Sequence, residues 1–126
     1  MILNDTITAL KLNIIPTTKQ KTFILPKGKL NDLQLIIPTG HVGLTETVFY
    51  YQGHQIFPLI SGNFKGNGTH IKINPGLRID TQPRELKVIL TNYDDTYEHS
   101  IYVILEIDTT SNEGLSIQEL ISLSME

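Results

Sequence analysis

The chain has 126 residues, enough for one domain with a real core and too few for two. Apolar residues make up 40% and charged residues 18%, which excludes a disordered polyelectrolyte. A net charge of −3 provides no overall field for DNA, RNA or anionic lipid, and the lack of Cys excludes disulfides and thiolate chemistry.

The apolar set is mostly Ile and Leu, beside many Thr and a single Ala, Ala9. Helices use Ala freely, whereas Ile, Thr and Tyr suit pleated, half-buried surfaces, so composition predicts an all-β domain. The opening "MILNDTITALKLNIIP" lacks a basic leader and long apolar core, and no run approaches the roughly 18 apolar residues of a membrane span. The expectation is a soluble protein made in the cytosol, with neither a membrane nor a nucleic acid as partner.

In chain order, Leu10, Leu12 and Ile14 alternate in "ALKLNIIP", followed by Phe23 and Leu25 in "KTFILP". Lysines 11, 19, 21, 27 and 29 interleave with these apolar residues, as expected of solvated strand faces. "NDLQLIIP" sets Leu33, Leu35 and Ile37 on one face, and "TETVFYYQGHQIFPLI" predicts two strands joined at Gln52-Gly53-His54. "THIKINPGLRI" alternates, breaks at Asn74-Pro75-Gly76 and resumes; "RELKVIL" and "HSIYVILEID" complete the set. Turn formers recur every eight to twelve residues or so, the rhythm of a sandwich or barrel. The prediction is an antiparallel two-sheet β-sandwich, jelly-roll-like, over residues 1–112.

Residues 113–126 break the pattern. Ser116 followed by Glu119 is a capping-box signature, and Ile117, Leu120 and Ile121 then form a narrow apolar stripe. So short a helix needs something to lie against. Three placements stay open: on its own sandwich, on a neighbouring copy or partner, or frayed.

Several constellations bear on chemistry. Asp94, Asp95, Glu98 and His99 crowd before the last strand, but their spacing is not that of a Ca²⁺ loop, and Asn92 to Thr96 suits a hairpin connection. The four histidines, His41, His54, His70 and His99, form no metal-ligand spacing and meet only if loops converge. "SGNFKGNGTH" has the wrong order for a phosphate cradle and reads as a wide hairpin loop offering Phe64 to a partner. Tyr50 and Tyr51 are adjacent in a strand, so they point to opposite faces and at most one is core. The other suits a sugar platform or a subunit contact. Acid–base, metal, thiol and phosphate signals all fail together, so a non-enzyme without cofactors is expected.

From Leu33 to Ile107, "DLQLIIPTGHVGL", "VFYYQGHQIFPLISG", "GNGTHIKINPGLRI" and "PRELKVILTNYDDTYEHSIYVILEID" resemble small single jelly-roll structural proteins of bacterial and archaeal virus particles. The resemblance is architectural. It implies a minor capsid, cement, spike-base or fibre subunit, made in the host cytoplasm and located in the virion. Such a subunit would assemble with copies of itself and other virion proteins through sheet edges and terminal arms. Phe64, Tyr50, Tyr51, Ile117, Leu120 and Ile121 are the candidate contacts. The alternative is a carbohydrate-binding or adhesion module whose partner is a glycan; a cupin-like metalloenzyme ranks third.

Overall fold

The computed structural model describes residues 1–58, 64–111 and 113–124, without the side chains of residues 121, 123 and 124. Nine strands occur among them: β1 (Ile2–Ala9), β2 (Thr17–Ile24), β3 (Gly28–Ile37), β4 (Thr45–Tyr51), β5 (His54–Phe57), β6 (Thr69–Ile73), β7 (Leu77–Ile79), β8 (Glu85–Asn92) and β9 (His99–Asp108). One helix follows, α1 (Ile117–Ser124).

The strands form two antiparallel sheets, one ordered β1-β9-β3-β6 with β7 also on β3, the other β2-β8-β4-β5. The pairing is nested: β1 with β9, β2 with β8, β3 with β6 and β7, β4 with β5. The chain is thus one long antiparallel ribbon rolled on itself, the winding of a jelly roll. At the ribbon's tip Gln52 (φ 51°) and Gly53 (φ 80°) make the two-residue turn whose twist matches right-handed strands.

Period-two alternation explains most of the core. Leu33, Leu35 and Ile37 of β3 meet Ile101, Val103, Leu105 and Ile107 of β9, and Phe49, Leu86, Val88 and Leu90 face them from the other sheet, all essentially inaccessible. Each such side chain contributes roughly 1.5–3 kcal/mol. Leu30 joins them although it lies three residues before Leu33. The register between β3 and β9 shifts between Leu30 and Asp32, a bulge that turns both leucines inward.

Three expectations change. Leu10, Leu12 and Ile14 belong to the β1–β2 loop, not to a strand; there the Leu12 N–H donates to Asp94 O instead of to a ladder. Residues 93–98 are not a hairpin turn, because β8 and β9 lie in different sheets and this segment crosses between them. The same holds for the Gly-rich run, which leads from β5 in one sheet to β6 in the other; its residues 61–63 lie outside the described ones.

The tail lies on the chain's own sandwich. Leu115 bridges Leu77 in parallel, with Arg78 N–H donating to Leu115 O at 2.7 Å and Leu115 N–H to Gly76 O at 2.8 Å. The capping box forms: Ser116 Oγ accepts from Glu119 N–H at 3.2 Å and bonds Glu119 Oε1 at 3.1 Å. Ile117 and Leu120 are buried in the core.

Candidate functional site

A shallow groove of about 670 Å³ lies over the outer face of the β4–β8 pair, at the end of the sandwich that carries the helix. In β4 the inward residues are Thr45, Thr47, Phe49 and Tyr51, which leaves Tyr50 on the outer face. Tyr50 stands directly opposite Lys87 of β8, with Ile89 and Glu85 flanking it along the strand. These form the floor. The walls are the β4–β5 turn at Gln52-Gly53, the β7–β8 loop from Asp80 to Pro83, and Ser116 to Gln118 at the start of α1.

The β7–β8 wall is tied in place. Arg78 Nε donates to Asp80 Oδ2 at 2.9 Å, and Thr81 Oγ1 donates to Asp80 Oδ1 at 3.0 Å. These contacts, Thr81's first and then Arg78's, hold the Asp80 carboxyl below the usual carboxylate range. Gln52 Nε2 reaches across to Thr81 O at 3.0 Å, joining the two turns. With its amide oriented to satisfy both partners, Gln82 accepts from Arg84 Nη1 at 2.8 Å, while Arg84 Nε donates to Leu25 O. The lining is a half-buried aromatic ring among carboxylates, amides, a guanidinium and an ammonium, held by a rigid frame.

The opposite end holds a buried polar cluster. His41 Nε2 lies 2.8 Å from Ser100 O, a pure acceptor, so Nε2 carries the proton and Nδ1 accepts from Thr45 Oγ1 at 2.7 Å. Burial pushes the His41 pKa down, helped by His99, whose ring is centred 4.4 Å away. His99 Nε2 is 2.7 Å from Asp94 Oδ2, and that contact, with Thr96 N–H on Oδ1, lowers the Asp94 pKa. Asn92, fully buried, donates to Ala9 O, Leu10 O and Tyr97 O and accepts from Asp94 N–H. The cluster reads as an internal brace for three loops.

Two of the four histidines therefore meet, while His54 opens β5 at the distant end and His70 bonds Gln34 on an outer face. Among the described residues no three His, Asp or Glu side chains are placed to hold a metal ion. Of the candidate contacts, Tyr50, Tyr51 and Ile117 line the groove, and Tyr50 has its ring on the outer face. Tyr51 is 2% exposed and points inward, as the alternation requires once Tyr50 faces out. Phe64 is turned toward the core rather than offered by its loop: its backbone bridges Thr47 and its ring meets Phe49 edge-on at 6.2 Å. Ile117 and Leu120 are taken up by intramolecular packing; the side chain of Ile121 lies outside the described residues.

Sequence reasoning missed Arg78, Asp80, Gln52, Gln82, Lys87 and Gln118. They come from four separate segments, and only the rolled topology brings them to one groove.

No model of a known family matches the chain, and no curated protein does. Solved structures do. One is the pre-peptidase C-terminal domain of a collagenase from Bacillus anthracis (17% identity, TM-score 0.48, 82% of this chain and 90% of that one). Another is a periplasmic inhibitor of g-type lysozyme from Aeromonas hydrophila (12%, 0.39, 86% and 85%). A third is a low-affinity xylan-binding module from Roseburia intestinalis (14%, 0.40, 86% and 98%). These likenesses are distant, and the fold rests on the strand pairing itself. The virion role implied by the sequence resemblance gains no support from them.

Proposed function

We propose that the chain is a non-catalytic binding module whose outer-face groove takes a glycan. The observation that carries this reading is the placement of the Tyr50 ring on a groove floor between walls of planar polar groups. A pyranose has a C–H face that packs on an aromatic ring and a rim of hydroxyls that both donate and accept. Tyr50 suits the first, and Asp80, Glu85, Gln118, Arg78 and Lys87 suit the second. Sites for apolar small molecules are more enclosed and more greasy than this groove.

The frame needs little rearrangement to bind, since Gln52 and Arg78 already hold the loop. An open groove buries only part of a sugar, so affinities in roughly the micromolar-to-millimolar range are expected. A glycan array followed by titration calorimetry tests the reading. Tyr50→Ala should abolish binding, whereas Tyr50→Phe, which keeps the ring, should retain most of it. Failure of the wild-type chain to bind any glycan, or binding indifferent to Tyr50→Ala, overturns the proposal.

A further inference from the structure

The end of the sandwich away from the groove is a crown of three loops: residues 10–16, 38–44 and 93–98. It displays Leu10, Ile14, Ile15, Val42, Tyr93 and Tyr97, each at least 43% exposed and Ile14 at 94%. Two of these residues take a backbone that β-branched side chains rarely adopt, Ile14 at φ 71° and Val42 at φ 50°. A chain that holds two bulky apolar residues in left-handed conformation, pointing at solvent, gains nothing from them alone. The crown is also stiff. Leu12 N–H donates to Asp94 O, Tyr93 N–H donates to Leu44 O, and Asn92 ties Leu10 and Tyr97 together from below.

From this we infer that the crown is a self-association surface, and that its occupant is the crown of a second copy. Three observations point to that occupant. The first is shape: the Ile14 tip stands beside a groove of about 660 Å³ lined by Leu10, Lys11, Leu12, Asn13, Asp95 and Glu98. One copy thus carries both a knob and an apolar-floored slot, as a two-fold, self-complementary contact needs. The second is charge: Lys11 and the acidic pair Asp95 and Glu98 stand on the same slot, and among the described residues none of them is in an ion pair. A two-fold axis through the crown sets Lys11 of each copy against Asp95 or Glu98 of the other. The third is size. Six side chains at roughly 100 Å² of apolar surface apiece give about 600 Å² per partner, the low end of a standard interface. An anionic bilayer suits the surface poorly, because Asp95 and Glu98 lie on it.

Sedimentation equilibrium of the full chain from about 1 to about 100 μM tests the inference. The wild type is expected to pass from monomer to dimer across that range. Ile14→Gly, which suits φ 71°, should weaken association more than roughly tenfold. Its thermal midpoint, taken at the dilute end, should hold or rise. Lys11→Glu should weaken association as well, and pairing it with Asp95→Lys should restore it. A wild type that stays monomeric throughout overturns the inference, as does a dimer unmoved by both Ile14→Gly and Ile14→Asp. Co-sedimentation with phosphatidylcholine vesicles in place of dimerisation, lost in Ile14→Asp, also overturns it and assigns the surface to lipid. The glycan test reads Tyr50 at the other end, so the two proposals fail separately.

Discussion

Asn92 offers the sharpest test of how the loop end is held. Its side-chain amide has four polar contacts at 2.9–3.2 Å: the two N–H of Nδ2 are shared among Ala9 O, Leu10 O and Tyr97 O, and Oδ1 accepts from Asp94 N–H. The bonds to Ala9 and from Asp94 are buried; those to Leu10 and Tyr97 are partly exposed, so water can replace them. Asn92→Ala leaves the two buried backbone groups short of a partner, at ~1–3 kcal/mol each. A loss of about 3 kcal/mol follows, the low end prevailing if the neighbouring ladder takes up part of the Ala9 carbonyl. Urea unfolding measures it. With a slope of about 1.5 kcal/mol/M the midpoint falls by roughly 2 M. Asn92→Asp is nearly the same size, yet it turns a carboxylate oxygen toward three carbonyls, so it should cost more than Ala. Thr91→Ala, one residue away on the outer face, should stay within about 0.5 kcal/mol. An Asn92→Ala midpoint within ~0.3 M of wild type, or an Asp variant milder than the Ala one, refutes the brace.

Two further outcomes are expected besides the glycan and self-association tests. His41 has a depressed pKa in the folded state, so the unfolded chain binds its proton more readily. Its contribution is complete above about pH 6.5 and declines as pH falls below that toward the folded value. His41→Gln should flatten the urea midpoint against pH below about 6.5, and an unchanged slope rules out His41 as its source. Gly28 sits at φ 152°, and a Cβ there would lie 2.3 Å from Asp108 O. Gly28→Ala should therefore cost at least ~2 kcal/mol by calorimetry or urea; a neutral result means that β3 and β9 separate easily at this point.

Local rules read well wherever the cause was local. Period two placed Leu33, Leu35 and Ile37 inside, and Ser116 with Glu119 announced the helix start. What they could not supply was the partner. Leu10, Leu12 and Ile14 alternate as a strand does, yet no neighbour offers them a ladder, and they become the crown instead. β1 is masked in the sequence because Asn4, Asp5 and Thr6 dilute its pattern, although Ile7 and Ala9 are core. Asn92 to Thr96 has good turn chemistry, but turn chemistry does not say which sheet receives the next strand. Leu30 needed a bulge invisible in alternation. Of the groove, Tyr50, Tyr51 and Ile117 are legible in the sequence, and the outward facing of Tyr50 follows from sharing a strand with a buried neighbour.

The break at Asn74-Pro75-Gly76 looks like a flaw in a strand. By splitting β6 from β7 it leaves the Gly76 carbonyl and the Arg78 N–H to be met by Leu115, and this short clasp fastens the C-terminal helix. The same helix lends Ser116 and Gln118 to the groove. The spacing of the groove's two sides is therefore tied to a pair of backbone bonds at the strand break, so that loosening them there is felt at the outer face.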